Sequence, residues 1–385
     1  GAYMLANAMG QARIGTVNGI CGALLERFAF EAGLPTEQLV LDEARAKQLL
    51  REAMDVVMED ASMEALLKVV RRLGLDVVGF AGGEVPWRKA LSDLVNDARA
   101  NDIAPDVLRT FGDINANRQL AHFPAAAGGD LDAQLRAAIT HALPAIQSGA
   151  ATTKVTTNYL ALLEDALKQL DGGNFTWGSW NKLSTAAPAA GLKPVAQPVA
   201  DVAAMVGQHP RLRADIRDYL VRIFALAADA LAAYADLKRQ VGAVDFTDQE
   251  RSLLDILDEP SVAQTLTEEL DLVMVDEFQD TSPIQLALFL KLAGFARQVV
   301  WVGDVKQAIY GFRGSDSALM KSVVDALPVL GGAKSVLPFS YRSRPALVGL
   351  VNEVFGSAFA GLEPAEVQLT PKRDEIAGAI AVHDW

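Results

Sequence analysis

The stretch Leu272–Asp280, with the sequence LVMVDEFQD, says more about the fold of this chain than any other. Its apolar first part, Leu272–Val275, is typical of a strand buried on both faces. Asp276 and Glu277 follow at the carboxyl end of that strand, which is where open α/β sheets bind their ligands. Mg²⁺ prefers one or two carboxylates together with water and substrate phosphates. The stretch therefore predicts a site for Mg²⁺ and a nucleoside triphosphate.

A second strand ends in the same way further along the chain. The segment Gln298–Asp316 reads QVVWVGDVKQAIYGFRGSD, and its apolar start leads into Asp304 and then Gln307. The residues between Asp276 and Gln307 suffice for one helix and a return strand, so both loops can lie on one edge of a sheet. A neutral amide such as Gln307 can hydrogen-bond a terminal phosphate oxygen or the attacking water without competing for metal.

Two further groups of side chains fit the same chemistry. Tyr310, Phe312 and Arg313 place two aromatic rings and a guanidinium in a glycine-bounded loop, a pattern that single-stranded nucleic acid uses because each stacked base contributes about 1–3 kcal/mol. Arg342 precedes a helix that a proline can begin, and from there it can clamp a γ-phosphate. Its neighbour Tyr341 can stack on a nucleobase.

The pattern along the chain indicates an α/β fold with a helical insertion. Residues 36–240 consist mostly of amphipathic helices, whereas strands and helices alternate from residue 241 onward. Near the start we expect a strand at Arg13–Val17 and a helix from Gly19 to Ala32. The buried parallel strands predicted after the insertion are Leu270–Val275, Gln298–Val302 and Ser335–Leu337.

Composition limits the class of protein. The 385 residues carry 35 Lys and Arg against 48 Asp and Glu, a net charge of −13, which argues against binding to DNA by charge alone but not against a narrow nucleic-acid channel. A single cysteine, Cys21, excludes an intramolecular disulfide and a Cys-rich zinc site. Because it lies on an apolar helical face, we expect it to be buried, and we expect Trp177 and Trp180 to be core anchors. No apolar run reaches the ~18 residues of a membrane span, and the first residues do not resemble a signal peptide. We therefore expect a cytoplasmic protein that does not bind membranes.

Three segments resemble helicase motifs, in the family's order. DEFQDTSPIQ, VGDVKQAIYGFRGSD and SYRSRPALVGLVN are similar to motifs II, III and IV of UvrD/Rep-type superfamily 1 DNA helicases. GTVNGICGALL resembles the TxHxF-type segment, and VDFTDQERSLLDIL resembles the DFxDL segment that follows the inserted subdomain. Lys306 and the segment FAFEAGLP point to the AddA/RecB-like branch.

The resemblance implies a RecA-like parallel-sheet motor domain with a large inserted all-helical subdomain. Residues 1–35 and 241–334 would form the first motor domain (1A), 36–240 the inserted 1B-like subdomain, and 335–385 the start of the second motor domain. The cofactors would be ATP and Mg²⁺. Single-stranded DNA or DNA ends would be the partner, with 3′→5′ polarity, in double-strand-break repair or recombination. An attached nuclease domain or a partner subunit is also implied.

The resemblance also assigns roles to residues. Asp276 and Glu277 would form the Mg²⁺ site, and Glu277 would activate the hydrolytic water. Gln307 would sense the γ-phosphate, and Arg342 would be the arginine finger. Tyr341 would stack on adenine. The contacts to single-stranded DNA would come from Tyr310, Phe312 and Arg313.

The chain also departs from the family's pattern. It contains no G-x-x-x-x-G-K-[ST] phosphate loop and no motif V or VI, and Asn18 and Ile20 stand where the TxHxF-type segment has His and Phe. We interpret it as an internal fragment of a larger motor that does not hydrolyse ATP alone. The alternative is a non-catalytic, degenerate helicase-like scaffold or protein-interaction module, which the intact motifs II and III oppose.

Overall fold

The computed structural model describes residues 12–33, 39–58, 62–78, 82–149, 153–307, 317–358 and 364–373. They belong to two compact units, one ending at Asp316 and the other beginning at Ser317. The helices of the first unit are α1 (Val17–Arg27), α2 (Glu43–Val57), α3 (Ser62–Leu73), α4 (Pro86–Ala100), α5 (Pro105–Ala121), α6 (Leu131–Ser148), α7 (Lys154–Asp171), α8 (Trp177–Thr185), α9 (Lys193–Ala204), α10 (Pro210–Val241), α11 (Phe246–Ile256), α12 (Pro260–Glu269) and α13 (Pro283–Phe295). Its strands are β1 (Leu39–Val40), β2 (Ala243–Val244), β3 (Leu272–Val275) and β4 (Gln298–Trp301).

The described residues between β1 and β2 form helices and turns, as their apolar spacing predicts. They pack into two cores joined by α10, whose 32 residues extend for about 48 Å. Leu212, near the start of α10, belongs to the core formed with α6 to α9, and Tyr234, near its end, belongs to the core formed with α2 to α5. At Gly112, α5 approaches α10 so closely that a Cβ atom would lie 2.8 Å from the Cα of Val221.

Buried polar contacts connect the two helical cores. Asp215 of α10 is buried, forms an ion pair with Arg72 of α3 and accepts a hydrogen bond of 2.8 Å from the indole N–H of Trp177 on α8. Trp180 is fully buried beside it and donates to the carbonyl of Ala203. The expectation that Trp177 and Trp180 anchor the core is confirmed.

The helical segment joins the rest of the first unit at the parallel pair β1–β2. We call this pair, together with the buried side chains around Asp245, the neck. Asp245 accepts hydrogen bonds from Arg99 (2.6 Å), from the Tyr234 hydroxyl (2.7 Å) and from Lys238 (2.9 Å). It is also the N-cap of α11, where it forms a capping box with Asp248. One carboxylate therefore holds α4, α10 and α11 together.

Beyond the neck, α1, α11, α12 and α13 share a third core, in which Cys21 is buried as predicted. The strands β3 and β4 pair in parallel, with Leu272 opposite Gln298 and Val275 opposite Trp301. This confirms the two predicted strands and their parallel arrangement. The sheets within the described residues are all two-stranded pairs, so a larger RecA-like sheet is not seen there.

Three expectations about strands are wrong. No strand forms at Arg13–Val17, because the Thr16 side chain accepts from the Gly19 amide (3.2 Å) and caps α1, which therefore begins at Val17. The helix ends at Arg27. The strands β3 and β4 are not buried on both faces. Helix α13 packs against one side, while Leu272 and Met274 remain 47% and 62% exposed on β3.

The third wrong expectation is the strand at Ser335–Leu337. These residues are irregular, and the strand of this region starts after Pro338. In the second unit, β5 (Phe339–Ser340) pairs in parallel with β6 (Thr370–Pro371), since the Thr370 amide donates to the Pro338 carbonyl at 2.7 Å. The helices of this unit are α14 (Ser317–Ala326), α15 (Pro345–Ala358) and α16 (Pro364–Val367). No helix among the described residues of either unit is long and apolar enough to cross a membrane.

Candidate functional site

The candidate site lies at the carboxyl ends of β3 and β4, which the parallel pairing brings to the same edge. Asp276 and Glu277 leave β3 and are exposed to solvent. Glu277 has a φ of +52°, in the left-handed region that non-glycine residues seldom adopt. The Asp276 carboxylate accepts a hydrogen bond from the Glu277 amide at 3.0 Å and so stabilises this turn.

A short 3₁₀ turn, Phe278–Asp280, fixes the end of β3 against β4. The Phe278 amide donates to the carbonyl of Val302 at 2.9 Å, and the Phe278 ring stacks on Trp301 with their centroids 4.7 Å apart. Because Phe278 is buried in this stack, the backbone on both sides of it has little freedom. The two carboxylates before it are therefore presented from a rigid turn.

Gln279 connects the two strand ends through its side chain. Its amide Nε2 donates to Oε2 of Glu277 at 2.6 Å, and its Oε1 accepts from the backbone amide of Asp304 at 2.9 Å. Only 2% of Gln279 is exposed. Gln279 belongs to the DEFQDTSPIQ motif, but neither of its two contacts can be inferred from residue spacing alone.

The loop after β4 is held by the Asp304 carboxylate. It accepts from the Lys306 backbone amide (3.1 Å) and from Nε2 of Gln307 (3.1 Å), and it forms an ion pair with the Lys306 ammonium (2.8 Å). Burial alone would raise the pKa of Asp304, but the hydrogen bonds from Lys306 and Gln307 lower it. Asp304 is therefore a stable anion that positions the exposed Gln307.

The exposed carboxylates of Asp276 and Glu277 have the donor chemistry that suits Mg²⁺, which takes oxygen ligands and keeps several waters. Within the described ranges, no group of three or more His, Cys, Asp and Glu side chains could hold a metal ion by itself.

A second set of contacts anchors the helix that follows the carboxylates. Ser282 caps α13 in a capping box with Gln285, and Nε2 of Gln285 donates to the buried carboxylate of Glu250 on α11 at 2.6 Å. Burial raises the pKa of Glu250, an effect that its hydrogen bond with Gln285 opposes. Helix α11 thus contacts the neck through Asp245 and the candidate site through Glu250.

The remaining predicted residues lie in the second unit or outside the described residues. Tyr341 and Arg342 lie in the second unit, where Tyr341 is 73% exposed and packs edge-on against Phe339. The carbonyl of Arg342 accepts from Arg373 at 2.9 Å. The predicted DNA contacts Tyr310, Phe312 and Arg313 lie outside the described residues.

The chain is similar in sequence to several known proteins. Residues 214–328 match the UvrD/REP helicase N-terminal domain. An ATP-dependent helicase/nuclease subunit from Desulforudis audaxviator is 28% identical over 90% of this chain and 32% of its own length. The protein of the same name from Natranaerobius thermophilus is 34% identical over 33% of the chain and 10% of its own length.

A further relative is the RecBCD enzyme subunit RecB of Mycolicibacterium smegmatis, 36% identical over 35% of the chain and 12% of its own length. The chain thus spans a third or less of the length of these relatives. The matched domain contains both strands of the candidate site, and each of these relatives is named either as an ATP-dependent helicase/nuclease or as RecB. These matches support a relationship to the UvrD-like helicases of the AddA/RecB-like branch.

Proposed function

We propose that this chain supplies the metal-binding and water-activating part of the ATPase centre of an ATP-dependent DNA helicase or translocase. The observation that carries the proposal is the hydrogen-bonded connection between Glu277 and the Asp304–Gln307 loop at one edge of a parallel strand pair. Two of the relatives are named as ATP-dependent helicase/nuclease subunits, which supports the same function.

Each residue of the centre has a chemical task in this proposal. Asp276 and Glu277 would hold Mg²⁺, which would supply positive charge against the substrate phosphates when bound. Glu277 accepts the proton of a water whose oxygen forms a bond to the γ-phosphorus while the bond to the β-phosphate oxygen breaks. Gln307 contacts the γ-phosphate, Arg342 stabilises its developing charge, and Tyr341 stacks on adenine.

The domain assignment is part of the same proposal. Residues 1–35 and 241–334 form the first motor domain, residues 36–240 its inserted 1B-like subdomain, and residues 335–385 the start of the second. Tyr310, Phe312 and Arg313 contact single-stranded DNA, and the motor moves 3′→5′ in double-strand-break repair or recombination, together with a nuclease domain or a partner subunit. Because these 385 residues contain no Gly-Lys-Ser/Thr phosphate loop, we expect no ATP turnover from them alone.

The test is strand separation by the full-length protein with ATP and Mg²⁺. Duplexes carrying a single-stranded 3′ tail, a 5′ tail or no tail are compared at one salt concentration. We expect unwinding of the 3′-tailed duplex and ATP hydrolysis that single-stranded DNA stimulates. Unwinding only from the 5′ tail would contradict the polarity. No DNA-stimulated hydrolysis at all would contradict the function and favour a scaffold.

A further inference from the structure

Gln279 is buried between the two strand ends, and both ends of its side-chain amide are engaged. Nε2 lies 2.6 Å from the Glu277 carboxylate, and Oε1 lies 2.9 Å from the Asp304 backbone nitrogen. Its 2% exposure contrasts with Asp276 and Glu277, which face solvent. A buried amide with two such partners is rigid, because breaking either hydrogen bond leaves a polar group unsatisfied.

The two partners determine which end of the amide faces which strand. A backbone N–H can only donate, so it must face the carbonyl oxygen of Gln279, and an ionised carboxylate can only accept, so it must face the NH₂ group. Glutamate at this position keeps the acceptor for Asp304 but presents a negative charge to Glu277. Methionine has a similar length and loses both hydrogen bonds. Glutamine alone among these three satisfies both partners.

The contacts continue from Gln279 toward the predicted γ-phosphate residue. Asp304, whose amide bonds to Gln279, accepts from Nε2 of Gln307 through its carboxylate. A continuous series of hydrogen bonds thus runs from Glu277 through Gln279 and Asp304 to Gln307. The stack of Phe278 on Trp301 holds the backbone beside this series in place.

We infer that Gln279 is a positioning residue that orients the Glu277 carboxylate and connects it to the Asp304–Gln307 loop. This inference rests on the proposed ATPase function. Gln279 does not touch the nucleotide; it fixes the direction from which Glu277 accepts the proton of the water. Because Gln279 also accepts from the Asp304 amide, the orientation of Glu277 depends on the loop that holds Gln307.

The test measures kcat and KM for ATP in the full-length protein with Gln279→Met, Gln279→Glu and Glu277→Gln. The bound amount of a non-hydrolysable ATP analogue counts the competent sites, so that turnover is expressed per site even if a variant folds poorly. Gln264→Met and Gln264→Glu are the matched controls, because Gln264 donates to Glu268 in the same way (3.1 Å) but is exposed on α12.

We expect Gln279→Met to lower kcat per site by roughly 10- to 100-fold, with KM for ATP within about twofold, since misplacing a catalytic group costs up to about 10². Gln279→Glu should lose at least as much, because its carboxylate repels Glu277. The Gln264 controls should keep wild-type turnover. If both Gln279 variants keep kcat within about twofold while Glu277→Gln is inactive, the inference is overturned and the ATPase function stands. Absence of turnover in the wild type overturns the function itself, and full turnover in Glu277→Gln overturns the role of Glu277 as the base and, with it, the positioning role of Gln279.

Discussion

Replacing Asp245 by asparagine should destabilise the neck by several kcal/mol. Burial alone would raise the pKa of Asp245, but the charges of Arg99 and Lys238 and the hydrogen bond from Tyr234 lower it to about 2. For an aspartate whose ordinary pKa is near 3.9, this shift corresponds to about 2.5 kcal/mol of stability at neutral pH. The variant also leaves the half-buried Arg99 without its carboxylate, whereas Lys238 keeps its ion pair with Asp248, so we expect a total loss of about 3–5 kcal/mol.

Asparagine is as good an N-cap as aspartate, so the Asp245→Asn change removes the charge and keeps the cap of α11. The assay is urea denaturation of the 385-residue chain, followed by far-ultraviolet circular dichroism at pH 7. Asp236→Asn is the control, because it removes the exposed partner of Arg239 and should cost less than about 0.5 kcal/mol.

The pH dependence gives the same prediction a second test. Because the folded pKa of Asp245 lies below the unfolded one, its contribution is present above about pH 4 and is lost as the pH falls toward 2. The difference in stability between wild type and Asp245→Asn should therefore shrink through that window. A loss at pH 7 no larger than that of the Asp236 control would refute the claim that this carboxylate holds three helices together.

Two other substitutions test separate parts of the account. Glu250→Gln should be neutral or stabilising at pH 7, unlike the destabilising Asp245→Asn. The reason is that burial raises the pKa of Glu250, so that its charge costs stability above that pKa. Equal destabilisation of the two variants in the same urea assay would contradict this. Phe312→Ala should weaken the binding of fluorescent single-stranded DNA to the full-length protein by about 1–3 kcal/mol. The control Phe30→Ala, at a residue that is 95% exposed, should leave this affinity unchanged. Equal affinities for both variants would contradict the stacking role of Phe312.

The sequence allowed the edge of the fold that carries the candidate site to be predicted. The apolar runs before Asp276 and Asp304 have the length and composition of strands, and one helix between them requires a parallel pairing. The structure has that pairing, with β3 and β4 in register over four residues. Trp177, Trp180 and Cys21 are buried as expected, since large apolar side chains on amphipathic helices seldom have another use.

The remainder depended on contacts between distant residues. The strand predicted at Arg13–Val17 fails because Thr16, a residue type that suits a strand, equally suits the N-cap position of a helix. Exposure of β3 is decided by the elements that cover each face, which an apolar run does not reveal. The bridging role of Gln279 needs the left-handed turn at Glu277 and the register of β4, neither of which a single stretch encodes.

The most direct test of the central claim is the turnover of Glu277→Gln in the full-length protein, measured with saturating single-stranded DNA and Mg²⁺. Glutamine keeps the size of the side chain but cannot accept a proton from water. We expect the affinity for ATP to stay within about threefold of wild type, while kcat falls by about 10²-fold or more. Wild-type turnover in this variant would contradict the assignment of Glu277 as the base and, with it, the catalytic role of the LVMVDEFQD stretch.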